Sequence, residues 1–162
     1  TTARTMFLRR IGRSLIRQAE AATSSGFPEK VTVSLLCPHE AVVHKVPCDQ
    51  VIIPGVIAEF GVLPGHVPTV AELKPGVVSL RNDKESENYF VSSGFAFVNS
   101  DSTTDICAVE AVKVADLDAD AVRKGIEQSK NELNASDDVA KAAAQISLDV
   151  FEAMDAAIKA SN

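Results

Sequence analysis

Glu59-Phe60-Gly61-Val62-Leu63-Pro64-Gly65-His66-Val67-Pro68, running on to Leu73-Lys74-Pro75-Gly76-Val77-Val78, is the stretch whose reading decides the fold. Two Pro-Gly pairs stand eleven residues apart, with apolar residues on both sides. Proline pre-sets φ at the second turn position, and glycine supplies the positive φ that a type II turn needs at the third. Both pairs therefore predict chain reversals between strands. Gly55 and Gly61 mark places where the backbone bulges or passes close to a neighbour. The segment predicts a tight β corner, not a pocket lined with catalytic groups.

Outward from this corner, residues 27–114 read as β. Val31, Val33 and Leu35 alternate with Thr32 and Ser34, a period of two. Short β-branched or aromatic runs follow at Val42-Val43, Val51-Ile52-Ile53, Val77-Val78-Ser79-Leu80, Tyr89-Phe90-Val91, Phe95-Ala96-Phe97-Val98 and Ile106-Cys107-Ala108-Val109. Turn residues separate them at Pro47, Pro54-Gly55, Asn82-Asp83, Gly94 and Asn99-Ser100-Asp101. Many short strands at this spacing predict a sandwich or flattened barrel. Residues 115–162 change character. All seven prolines lie between Pro28 and Pro75, and Gly125 is the one glycine after Gly94. Val122, Ile126, Ser129 and Leu133 form one helical stripe; Val139, Ala143, Ile146, Val150, Met154 and Ala157 form another. Asp116, Asp118 and Asp120 suit the positive N-terminal end of the first helix. Asn134-Ala135 breaks the pattern, and Ser136 is the expected N-cap of the second helix. So short a link predicts an antiparallel helical hairpin. Its Ala-rich stripes bury little, so it needs the sandwich or a partner for stability.

Residues 1–26 form an Arg-rich extension. Phe7, Leu8, Ile11, Leu15 and Ala19 fall on one side of a helix over 3–22, and Arg9, Arg10, Arg13 and Arg17 on the other. The arginines, with no acid before Glu20, have the character of a mitochondrial targeting segment, with Met6 a plausible start. Three roles compete: a processed leader, a retained helix docked on a partner, and a helix on an anionic lipid surface. The second is the expectation, with Thr23-Ser24-Ser25-Gly26 as a flexible link. Residues 1–22 carry five Arg against one Glu, while the rest carries 11 basic against 21 acidic residues. An acidic body argues against nucleic acid, which needs clustered Lys and Arg. No apolar run approaches the ~20 residues that span a bilayer.

Nothing in the chain assembles into a reactive site, metal centre or cofactor motif. Cys37, His39, His44 and Cys48 bear zinc-binding side chains, but their spacing matches none of the usual arrangements. The plainer reading is two core cysteines and two strand-edge histidines. Three widely spaced cysteines, with Cys107, are no disulfide framework and suit a reducing compartment. Asp116, Asp118 and Asp120 with Glu127 imitate a calcium loop, but Ala121 stands where the sharp turn requires Gly. Acidic capping explains the same residues. Ser92-Ser93-Gly94 is not a nucleophile elbow, and no Gly-rich phosphate loop is present. His66 is a lone turn histidine, read as a hydrogen-bonding or packing residue.

Taken in order, Glu59 to Leu80 resembles the small β-sandwich subunit of the central stalk of F-type ATP synthases, called epsilon in bacteria and delta in mitochondria. The resemblance resumes at Tyr89-Phe90-Val91-Ser92-Ser93-Gly94-Phe95-Ala96-Phe97-Val98 and continues through Ala108-Val109-Glu110-Ala111 into Asp116-Leu117-Asp118. It covers residues 30–160; the residues before 27 find no counterpart. It implies an α+β chain, a sandwich of about ten strands followed by a helical hairpin. It also implies a coupling role without chemistry, at the foot of the gamma shaft and on the polar loops of the membrane c-ring. The mitochondrial form adds a very small epsilon subunit against the hairpin, on the matrix side of the inner membrane and peripheral to it. Glu59 matches the position on the turn facing the ring, His66 matches the Pro-Gly-His turn beside it with Pro64 and Gly65, and Phe60 joins them by adjacency. Some bacterial members bind ATP at a helix motif whose nearest match here is Ala119-Asp120-Ala121-Val122-Arg123-Lys124, which departs at both ends; nucleotide binding by Asp120 and Arg123 is not expected. The alternative reading is a freestanding β-sandwich binding module that dimerises through its hairpin.

Overall fold

The computed structural model describes residues 28–83, 85–134 and 137–161. The expected helix over 3–22, its link at 23–26, and Ser136 lie outside the described residues.

Ten strands form two five-stranded sheets. In chain order they are β1 (Val31–Leu36), β2 (Ala41–Cys48), β3 (Gln50–Pro54), β4 (Glu59–Val62), β5 (Thr69–Leu73), β6 (Gly76–Asn82), β7 (Glu85–Val91), β8 (Gly94–Val98), β9 (Thr103–Ala108) and β10 (Ala111–Lys113). The first sheet runs β2-β1-β9-β8-β5 and the second β10-β7-β6-β3-β4. Pairing is antiparallel except between β1 and β9, which run parallel with Thr32 opposite Thr103 and Leu36 opposite Cys107. The period-two pattern sends alternate residues into one shared core. Val31, Val33, Leu35, Ala96, Val98 and Ile106 of the first sheet meet Val51, Ile53, Val62, Val78, Leu80 and Val91 of the second.

The corner that opened the sequence reading joins the sheets at their edges. Pro64-Gly65 links β4, an edge of the second sheet, to β5, an edge of the first. Gly65 has φ 75°, and His66 N donates to Leu63 O at 3.1 Å, as the predicted type II turn requires. Pro75-Gly76 differs from expectation: Gly76 takes no left-handed φ and is already the first residue of β6. Its glycine is there for contact, because a Cβ would lie 2.8 Å from Pro54 Cβ. Edge strand β5 is also stitched to the end of β3 and the loop that follows it. Val56 N donates to Glu72 O at 2.9 Å and Lys74 N to Pro54 O at 3.1 Å.

After a 3-10 turn at Val114–Asp116 come helices α1 (Ala119–Glu132) and α2 (Asp138–Ser161). Asp118 caps α1 by accepting from Asp120 N at 2.8 Å and Ala121 N at 3.3 Å. These bonds lower the Asp118 carboxyl pKa. Asp137 does the work assigned to Ser136: its carboxylate accepts from Ala140 N at 3.2 Å and its carbonyl from Lys141 N at 3.0 Å. The α1 stripe is as expected, with Val122 and Ser129 buried and Ile126 and Leu133 half-buried. The α2 stripe holds only in its second half. Val150, Met154 and Ala157 pack with Ala153 against Phe90, Val77, Val114 and Leu117 on the outer side of the second sheet. Val139 and Ile146, on the predicted stripe, are 76% and 66% exposed. A helix of 24 residues is about 36 Å long and outruns the sheet. Its first half buries a different face, Ala144 and Leu148, in line with Phe151, whose ring lies on Gly125 of α1.

Two substitutions test this packing. Thr104 is fully buried and its hydroxyl has no hydrogen-bond partner among the described residues. The isosteric Thr104→Val should raise unfolding free energy by about 1 kcal/mol in a denaturant titration, since it removes an unpaired buried hydroxyl. At Gly125 a Cβ would lie 2.6 Å from the Phe151 ring. Gly125→Ala gains about 1 kcal/mol of helix propensity but unseats that ring at a cost of about 1–3 kcal/mol. A net loss in the helical melt is expected, with Phe151→Leu partly restoring stability in the Gly125→Ala background.

Candidate functional site

The five residues singled out by the sequence lie along the β4 edge of the sandwich, in two groups. Glu59 heads β4 opposite Pro54, while Pro64-Gly65 leaves the far end of the strand. Three strand steps, about 10 Å, separate Glu59 from Val62. Phe60 and His66 bridge the groups, with ring centroids 6.4 Å apart and tilted by 36°. Phe60 packs against the core and over Gly55. Glu59 is exposed, and no ion pair among the described residues includes it. His66 Nδ1 lies 2.8 Å from Val67 O, so the ring is engaged with its own loop rather than with an acid. Gly65 N donates to Ser102 Oγ at 2.9 Å.

The surface around this edge is apolar. Ile57, at the tip of the loop between β3 and β4, is 100% exposed, with Val56 half-exposed beside it. Val70, Phe95 and Phe97 point outward from β5 and β8 on the first sheet. Val70 sits opposite Phe97, so these side chains adjoin on one face. At the Glu59 end of the sandwich a shallow groove continues the face between Leu36, Cys37, Phe95, Cys107 and Val109. Val56 and Ile57 were missed by the sequence reading, although an apolar pair directly after Pro54-Gly55 is visible in the string. Ser102 carried no signal.

The reactive groups do not converge. Cys37 and Cys48 lie at opposite ends of the β1–β2 hairpin, since Val31 pairs with Cys48 and Leu36 with Ala41. His44 is exposed on the edge strand β2, and exposed His39 lies 3.6 Å from Glu40. Among the described residues no three His, Cys, Asp or Glu side chains are grouped to hold a metal ion. Asp118 is spent on the α1 cap, and Asp120 pairs with Arg123 at 2.8 Å. Arg123 Nε also donates to Ala119 O. The two residues nearest a nucleotide motif thus serve the first turn of their own helix.

The profile of the ATP synthase delta/epsilon chain β-sandwich domain matches residues 30–114. This chain belongs to the ATP synthase delta/epsilon family. The mitochondrial ATP synthase subunit delta′ of Ipomoea batatas is 48% identical over 138 residues, 85% of this chain and 69% of the relative. The mitochondrial F(1) complex subunit delta of Dictyostelium discoideum is 38% identical over 136 residues, 83% and 80% of the two chains. Among solved structures, a chain in the Euglena gracilis mitochondrial ATP synthase, determined as OSCP, F1 and c-ring, superposes with TM-score 0.78 and 29% identity over 83% of this chain and 85% of that one. A chain in the Tetrahymena thermophila central stalk and c-ring shares the fold, at TM-score 0.61 and 17% identity, over 82% and 99%. The delta/epsilon chain is therefore a non-catalytic central-stalk subunit of a mitochondrial F-type ATP synthase, on the matrix side of the inner membrane as part of the complex.

Its thiols should behave as those of a structural subunit. Burial pushes the Cys48 thiol up to about 11, and Cys37 is also raised, chiefly by burial. A thiolate is the reacting form, so raised pKa values slow alkylation. With iodoacetamide at neutral pH, exposed Cys107 should label first, Cys37 slowly and Cys48 only on unfolding, as read by peptide mass mapping.

Proposed function

We propose that this delta/epsilon chain is the joint that makes the c-ring and the gamma shaft turn as one body, and that it meets the ring's polar loops with the β4 edge. The observation that carries the reading is the exposed apolar tip Val56-Ile57 set beside Glu59, continuous with the outer face of the first sheet. A torque-bearing contact needs packed area, roughly 1,200 Å² or more in total. An exposed ion pair adds only ~0–1 kcal/mol. Glu59 on this reading gives register and charge preference, while Ile57, Val56, Phe60 and the Pro64-Gly65-His66 turn give area.

The other partners follow from the remaining apolar faces. The outer face of the first sheet, with Val70, Phe95 and Phe97, suits the gamma shaft, because contiguous apolar surface of this kind marks an interaction site. The exposed first half of α2, with Val139 and Ile146, suits the small mitochondrial epsilon subunit. Such a contact would supply the support that an Ala-rich hairpin lacks alone. Residues 27–114 act on this reading as the rotor-attachment domain and 115–162 as the hairpin domain, with 1–26 an extension held by a partner.

Retention in the solubilised ATP synthase after a salt wash tests the ranking of residues. Glu59→Ala should stay bound. Ile57→Asp, and separately deletion of Pro64-Gly65, should release the chain, because each removes or charges packed area. Release by Glu59→Ala with retention of Ile57→Asp would invert the ranking and overturn the area argument.

A further inference from the structure

Ser102 is the anomaly of the β8–β9 loop. Three non-glycine residues among those described have positive φ: Lys45, Asp83 and Ser102. Lys45 and Asp83 are exposed, whereas Ser102 is 4% exposed with φ 63°. Asn, Asp and Gly adopt this conformation more readily than Ser does. A strained residue persists only where its surroundings hold it, and such residues gather at working surfaces. What Ser offers at this site is a short hydroxyl. Its Oγ accepts from Gly65 N at 2.9 Å, across 37 residues of sequence. Its carbonyl accepts from Thr32 N at 3.0 Å. One residue therefore ties the Pro64-Gly65 turn to the start of β1.

The rest of the loop holds Ser102 in place. Asp101 Oδ1 accepts from Thr103 N at 3.1 Å and from Thr103 Oγ1 at 2.6 Å. Asn99 N donates to Thr103 O at 2.9 Å, and Asn99 Nδ2 donates to Thr103 Oγ1 at 2.9 Å and Asp105 Oδ2 at 3.3 Å. In a type II turn the amide of the third residue takes no part in the bond that closes the turn. Gly65 N–H is that amide, so Ser102 is its protein partner.

We propose that Ser102 is a positioning residue for rotor attachment: its hydroxyl fixes the Pro64-Gly65 turn in the shape that the β4 edge presents to its partner. This rests on the reading that the turn belongs to the rotor contact. Sequence patterning around the turn does not disclose it, because the latch comes from a distant loop.

The test uses the full chain with Ser102→Ala and Ser102→Gly. Glycine relieves the left-handed backbone and removes the hydroxyl, so it keeps or raises the melting temperature while losing the latch. Alanine loses both. In each variant the Gly65 amide proton resonance should shift and its hydrogen exchange should speed up roughly two- to tenfold, the worth of one neutral hydrogen bond. In solubilised ATP synthase, Ser102→Gly should then wash off at lower salt than wild type. A purely structural role for Ser102 predicts wild-type retention for the stable glycine variant. Unchanged Gly65 exchange in both variants overturns the latch. Changed exchange with wild-type retention of Ser102→Gly, while deletion of Pro64-Gly65 still releases the chain, overturns the positioning role. Retention of the deletion variant as well overturns the rotor reading of the turn and the proposal with it.

Discussion

The last three residues of strand β7, Tyr89-Phe90-Val91, are buried on both faces, and the two parts of the chain are joined there. Tyr89 and Val91 point into the sandwich, while Phe90 between them points out and is covered by α2. Fully burying one such phenylalanine is worth about 1.5–3 kcal/mol. Phe90 is the centre of a small second core with Val77, Val114, Leu117, Val150, Ala153, Met154 and Ala157. The second half of α2 lies on this core, and α1 joins through α2. A one-residue slip of β7 would exchange its faces, leaving Phe90 to compete for the sandwich and Tyr89 for the helix. Tyr89 also pins the register by chemistry. Its hydroxyl donates to Glu87 Oε2 at 2.6 Å, Lys113 of β10 lies 5.7 Å over its ring, and burial, with the Glu87 bond second, raises its pKa to about 12.

Charged groups elsewhere serve mainly to shape the chain's own loops. Lys30 meets Asp49 at 3.1 Å and Asn82 at 2.5 Å, and Asp49 also accepts from Asp83 N at 2.6 Å. This network gathers the start of β1, the β2–β3 link and the β6–β7 turn at the end of the sandwich that also carries Ser102. Hydrogen bonds from Asp83 N and then Lys30 lower the Asp49 pKa, so the network stays intact until the pH falls well into the acid range. In the hairpin, Lys130–Glu152 bridges α1 and α2, while Asp120–Arg123 and Lys159–Asp155 stay on one helix. Groups committed in this way are poor candidates for proton transfer.

How much was legible follows from the range of each interaction. The alternation at Val31-Leu35 and the Pro64-Gly65 turn act within a few residues, so the string reveals them and the structure agrees. Pro75-Gly76 looked the same but differs, because its glycine answers to Pro54, twenty-two residues away. The α2 stripe was half right for a similar reason. Periodicity shows which side of a helix is apolar, but the length of the sheet decides how much of that side is covered. Asp137 caps α2 next to the expected Ser136, which lies outside the described residues; neighbouring Asx and Ser residues all suit the position, and helix starts shift by a residue or two. In the β4 edge, the string places Glu59, Phe60, Pro64, Gly65 and His66 close together, but strand β4 itself separates Glu59 from the turn. Ile57 stands in the string as half of an apolar pair after Pro54-Gly55, but its full exposure comes only from the fold, and Ser102 shows only through a contact across 37 residues.

The edges of the sandwich complete the physical argument. A sheet edge with free backbone groups invites pairing with other chains. Here β4 has four residues and begins with a charge, and β5 is tied to the β3 extension by the Val56–Glu72 and Lys74–Pro54 bonds. Stray strand pairing is therefore discouraged at the place where apolar side chains are most exposed. Backbone hydrogen bonding would let almost any strand attach, whereas a short and partly tied edge leaves recognition to side-chain shape. On the proposed reading Ile57 fits one partner and Val70, Phe95 and Phe97 another, and packed area resists shear better than scattered ion pairs, which salt screens. An exposed apolar surface of this kind is costly for a protein living alone and suits a subunit held within an assembly.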